Sequence, residues 1–142
     1  MNWLTYAFLT IFFYAFFDFF LKLSAGKIHD MFGVTIINFL STIIVSAFLI
    51  FAKFRNENIF QVKQGGYLYS ILAGISIGLA SLFFIKMFAT GVNLSIGVPL
   101  VRIGIVLLAG ILGALLLKES INLQYLIGFA LALVGLYLLV MK

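Results

Sequence analysis

Cysteine is absent from this 142-residue sequence, proline and histidine occur once each, and only 9% of the residues are charged. Without cysteine there is no disulfide, no thiolate metal site and no S-acylation. A lone histidine, His29, cannot build an imidazole metal site, and its polar surroundings suit a solvated loop residue. The shortage of charge excludes most. Globular domains carry roughly 25% charged residues, and a soluble chain of this size needs charge over its whole exterior because so many residues meet water. A cytosolic enzyme, a secreted domain and a disordered tail are therefore excluded.

What is present is apolar: 65% of residues are hydrophobic and 17% aromatic, and the mean hydropathy is +1.27. The chain reads as an all-α integral membrane protein, a multi-pass protein of the cell membrane. A bilayer core of about 30 Å needs about 20 helical residues, and five runs qualify, near Trp3–Lys22, Met31–Ala52, Tyr67–Ala89, Leu94–Leu117 and Asn122–Met141. None shows the period-2 alternation of a membrane barrel strand. Polar or glycine-bearing breaks separate the runs, the longest from Lys53 to Asn58 followed by an interfacial turn at Gln61 to Gly66. Ser120 is the expected N-cap of the last helix. The start, Met1-Asn2-Trp3, lacks a basic n-region and leads into a run too long for a signal peptide. One transmembrane domain of residues 1–142 is expected, with no room for a soluble one.

The net charge of +5 and the pI near 9.6 do not point to nucleic acid, because the basic residues are scattered at the ends of apolar runs, where they meet headgroups. Five spans place the termini on opposite sides. Lys53, Arg55, Lys63 and Lys118 then share one face, and Lys22, Lys27, Lys86 and Lys142 the other. Orientation normally follows an excess of Lys and Arg on the cytoplasmic side; here the faces balance. Two readings stay open: a weak bias decided by the first loop, or dual topology, in which copies insert both ways and pair antiparallel.

Small residues recur at helix-packing spacing: Gly74 and Gly78 in the third run, Gly110 and Ala114 in the fourth, and Gly128, Ala132 and Gly135 in the fifth. Such stripes let backbones approach closely in lipid. Ionisable groups inside spans are rarer, because each is costly unless paired or hydrated. At about 1.5 Å per residue, Asp18 lies about 8 Å from the middle of the first span, and Arg102 and Asn38 about 5 Å from the middles of the fourth and second. All are displaced toward the same face, and Lys22 and Lys86 sit nearer that face again. They suggest a shared polar pocket of Asp18, Arg102, Asn38, Tyr14 and Lys22. The bland alternatives are that Asp18 and Lys22 neutralise each other as i,i+4 partners, or that Arg102 with Asp18 merely bridges the bundle. Pro99 frees the carbonyl of Ser95 if the fourth helix has already begun. If instead the helix starts near Pro99, the proline sits harmlessly in its first turn.

From Gly74 onward the order of motifs becomes specific. A Gly-x-x-x-Gly span is followed by Phe88-Ala89-Thr90-Gly91, by Ser95-Ile96-Gly97-Val98-Pro99, by a glycine-studded span ending in Leu116-Leu117-Lys118-Glu119, and by Gln124-Tyr125-Leu126-Ile127-Gly128 with Gly135-Leu136-Tyr137. This run resembles the EamA-type repeat of the drug/metabolite transporter superfamily; the first two spans agree in length and spacing. Arg102 departs from the pattern, which is apolar or small there. Glu119 matches an acidic residue at the end of the fourth span, a place that suits a structural role.

Family members usually carry two such five-span repeats of inverted topology, because an odd-span unit duplicated in tandem must invert. The resemblance therefore implies a half-size secondary transporter that moves a small-molecule substrate as an antiparallel homodimer by alternating access. Asp18 would accept a proton or cation, Arg102, Asn38 and Lys22 would provide polar groups, and Tyr14 an aromatic wall. The expected partners are a second copy, the lipid bilayer and the solute, with no nucleic acid, cofactor or metal. No Walker A motif is present for nucleotide-driven transport, and no enzymatic activity is expected. The alternatives are a flippase for a lipid-linked head group and a non-transporting assembly subunit.

Overall fold

The computed structural model describes residues 2–141. Met1 and Lys142, used above in the amino-terminal reading and the charge balance, lie outside the described residues. The elements are α1 (Trp3–Ser24), α2 (Asp30–Phe54), α3 (Gly66–Ala89), α4 (Leu94–Leu116) and α5 (Leu123–Val140). Beyond one isolated bridge between Ala25 and Ile28, the described residues contain no β-structure. Helices α1 to α4 are long and apolar enough to cross a membrane, whereas α5 holds a shorter apolar stretch, Leu123–Leu138. Helices apolar on every side have no water-facing stripe to orient them. Among the described residues only Leu21, Val34, Ile85 and Phe88 form a buried apolar core.

In water-free surroundings each hydroxyl needs a partner. Several find it one turn back on their own helix: Thr10 donates to the Tyr6 carbonyl at 2.8 Å, Thr35 to Met31 at 2.8 Å, Thr42 to Asn38 at 2.9 Å and Ser81 to Ile77 at 2.8 Å. These bonds satisfy the hydroxyls without any partner helix.

The chain divides into two compact units, Met1–Asp18 with Gly91–Lys142, and Phe19–Thr90. In the first, α4 packs on α5, and the Tyr125 hydroxyl lies where a Cβ on Gly110 would stand. The small residue at 110 thus serves close packing. Gly74 and Gly78 differ, as do Gly128 and Gly135: a Cβ on any of them would meet nothing within 4 Å, so those stripes do not bring helices together within their own unit. Lys118, in the left-handed region at φ +55, ends α4, and the Glu119 N–H donates to the Gly113 carbonyl at 3.0 Å. The Glu119 carboxylate lies against α4, 2.6 Å from where a Gly113 Cβ would be. The cap of α5 is Asn122, whose side chain accepts from the Tyr125 N–H at 2.8 Å. Ser120 does not cap the helix. It stands two residues too early, before the chain has turned into α5.

In the second unit α2 packs on α3. A Cβ on the buried Gly33 would meet Ile85 Cδ1 at 3.2 Å and Ile28 Cγ2 at 3.1 Å, so glycine allows that approach. His29 is exposed just before α2. Phe88 lies tilted against Phe84, with ring centroids 4.9 Å apart and planes at 43°.

Candidate functional site

The first unit places three ionisable or aromatic side chains together. Tyr14 and Asp18 are one turn apart on α1, and Arg102 lies on α4. The Nη2 of Arg102 donates to both carboxylate oxygens of Asp18, at 2.8 and 2.9 Å. The guanidinium carbon stands 4.4 Å from the centre of the Tyr14 ring, within the range of a cation–π contact. Tyr14 in turn meets Phe17 edge to face at 6.1 Å. Pairing neutralises two charges that would each be costly alone in the hydrocarbon region. The partners are unequally covered. The Asp18 side chain is 5% exposed and that of Arg102 is 35% exposed.

Beside the pair lies an open recess of about 590 Å³, bordered by Ala15 and Asp18 from α1 and by Asn93, Leu94, Ser95, Val98 and Pro99 from the start of α4. Helix α4 begins at Leu94 and continues through Pro99, so the proline lies inside the helix and not in its opening turn. It carries no N–H, and the Ser95 carbonyl one turn earlier loses its usual partner. Residues 95, 98 or 99, and 102 recur at helical spacing and so share one face. The recess thus combines an apolar wall, a buried carboxylate and a carbonyl free to accept.

Tyr14, Asp18 and Arg102 are therefore joined, and Asp18 takes Arg102 rather than Lys22 as its partner. The other two candidates find their partners within the second unit. Lys22 Nζ donates to the Phe88 carbonyl at 3.4 Å and stands 5.5 Å from the Phe88 ring centre. Asn38 Nδ2 donates to the Val34 carbonyl at 2.9 Å. Asn93 and Ser95 were not among the residues singled out for the pocket. The signal for Ser95 was the proline four residues on; Asn93, at a helix start, carried none. Among the described residues no group of histidines and carboxylates could hold a metal ion.

A family model described as the EamA-like transporter family matches residues 1–141. No match was found among curated proteins or solved structures. With the match running over nearly every residue and the helices multi-pass in character, the chain belongs to the EamA-like transporter family.

Proposed function

We propose that the chain is one half of a secondary transporter that pairs antiparallel with a second copy and moves a small organic solute by alternating access. One observation carries the reading: a charge pair buried on one side and open on the other, held between two helices long enough to cross a membrane and bordered by a recess. An inert scaffold gains little from such a pair, since apolar residues of similar volume would serve stability as well. A transported ligand or a proton, by contrast, has something to exchange with. The proline within α4 supports the reading further, because interrupted helices in transporters often line the substrate path.

The antiparallel pairing rests on balance. Five helices crossing one membrane-embedded domain put the chain ends on opposite sides, and the basic residues divide evenly between the faces. For this to hold α5 must also cross, and its 18 residues span about 27 Å at 1.5 Å each, close to a core of about 30 Å. A short span is tolerated by local thinning of the bilayer.

The absence of cysteine gives a clean test. Asn2→Cys would be the only thiol in the chain. In intact cells an impermeant maleimide should label about half of it, and disrupting the membrane should release the rest. Labelling of all or none would refute dual insertion.

A further inference from the structure

We propose that the outer edge of Arg102 is a binding site for the anionic group of the ligand, a carboxylate or a phosphate. A guanidinium has five N–H donors. Both bonds to Asp18 leave from Nη2, so the Nε–H and the two Nη1 hydrogens are uncommitted. Nη2 stands between them in the planar group, so they flank it on two edges, and each can donate singly to an oxygen of a carboxylate or phosphate in a charge-assisted bond. They are held ready: Asp18 fixes one side of the group and the Tyr14 ring lies 4.4 Å beneath its carbon. Little side-chain freedom remains to be lost when an anion arrives.

The two charges of the pair point to opposite ligand classes, and the geometry chooses between them. A cation seeking Asp18 would have to displace Arg102 from a carboxylate that is 5% exposed and already bonded through both oxygens. An anion seeking Arg102 meets a side chain that is 35% exposed with donors to spare. The anion needs no bond broken. Its organic body would lie along the shared face of α4, toward the recess at Ser95 and Pro99.

The same chemistry is offered by a soluble organic anion and by a lipid phosphate. Depth favours the solute. Arg102 stands three residues before the midpoint of α4, about 5 Å from the centre of the span by the helical rise, whereas headgroups begin about 15 Å from it. The inference supplies a substrate class for the proposed transporter and rests on that reading only where the bound anion is said to be moved.

The test uses the two arginines of the chain, Arg55 and Arg102. Protein labelled with isotopic arginine in phosphatidylcholine nanodiscs should give two guanidinium Nε–H signals, assigned by Arg55→Lys. Benzoate should shift the Arg102 signal saturably, while benzyl alcohol and benzylammonium, its neutral and cationic counterparts, should not. Asp18→Asn removes the competing carboxylate, and benzoate affinity should rise about tenfold, the low end of what one nearby charge does. This variant keeps the site testable even if Arg102→Gln fails to fold. Equal responses to the three probes, or a preference for benzylammonium, would overturn the proposal. Phosphatidylglycerol added to the discs supports a lipid source if it displaces benzoate, and a soluble source if it does not. Anion binding without flux of any solute in proteoliposomes would remove the transporter reading and leave the site standing; flux of benzylammonium with no benzoate response would do the reverse.

Discussion

Removing one charge of the Asp18–Arg102 pair should cost very different amounts depending on which is removed. Arg102→Leu leaves Asp18 charged and without a partner in a setting where its side chain is 5% exposed. Breaking a buried pair in this way costs about 3–5 kcal/mol. Asp18→Leu leaves Arg102, which is 35% exposed, keeps the Tyr14 ring beneath it and can snorkel toward the headgroups, so the loss should be smaller, about 1–2 kcal/mol. The double variant buries no charge at all and should fall within about 1 kcal/mol of the parent, since apolar groups of similar volume often replace a buried pair without loss. The two substitutions should therefore couple by about 3 kcal/mol or more. Reversible unfolding in mixed detergent micelles, followed by circular dichroism, measures all four proteins. Costs that add in the double variant, or an Asp18→Leu loss as large as that of Arg102→Leu, would refute the unequal burial on which the site is built.

Three further outcomes follow from the packing. Gly110→Ala should cost about 1–3 kcal/mol by pressing on the Tyr125 hydroxyl, with recovery in Tyr125→Phe, while Gly128→Ala, facing open space, should stay within about 0.5 kcal/mol in the same unfolding assay. Asn122→Ala should cost about 1 kcal/mol through loss of the bond from Tyr125, and Ser120→Ala almost nothing. Pro99→Ala restores a donor for the Ser95 carbonyl, so thermal melting should show a gain of about 1 kcal/mol or more. If that carbonyl serves the solute, transport should fall at the same time.

The helical class was legible because the apolar runs are long and the breaks between them polar. The ends of the helices were read less finely. Helix α1 continues past Lys22 to Ser24, since a lysine whose Nζ reaches the Phe88 carbonyl has no reason to end a helix. The site was legible in its charges and not in its partners. Asp18 has a lysine at i+4 and an arginine 84 residues away; nearness along the chain favours the first, and only the three-dimensional structure reveals the second. Glycine spacing was equally ambiguous. The same small-residue pattern accompanies close contact at Gly110 and open space at Gly74 and Gly128, because what a glycine allows depends on what stands opposite. Tyr14, expected as an aromatic wall, carries the Arg102 guanidinium on its face, a contact that spacing along the chain does not show.

Solute flux into proteoliposomes tests the central claim most directly. The panel should span organic anions, amino acids, sugars, nucleosides and quaternary amines, with the parent compared with Asp18→Asn and Arg102→Gln reconstituted at equal amounts and with equal helicity. At least one solute should accumulate with the parent and fail to do so with both variants. Flux absent for the whole panel, or carried equally by the variants, would contradict a transport site at Asp18 and Arg102.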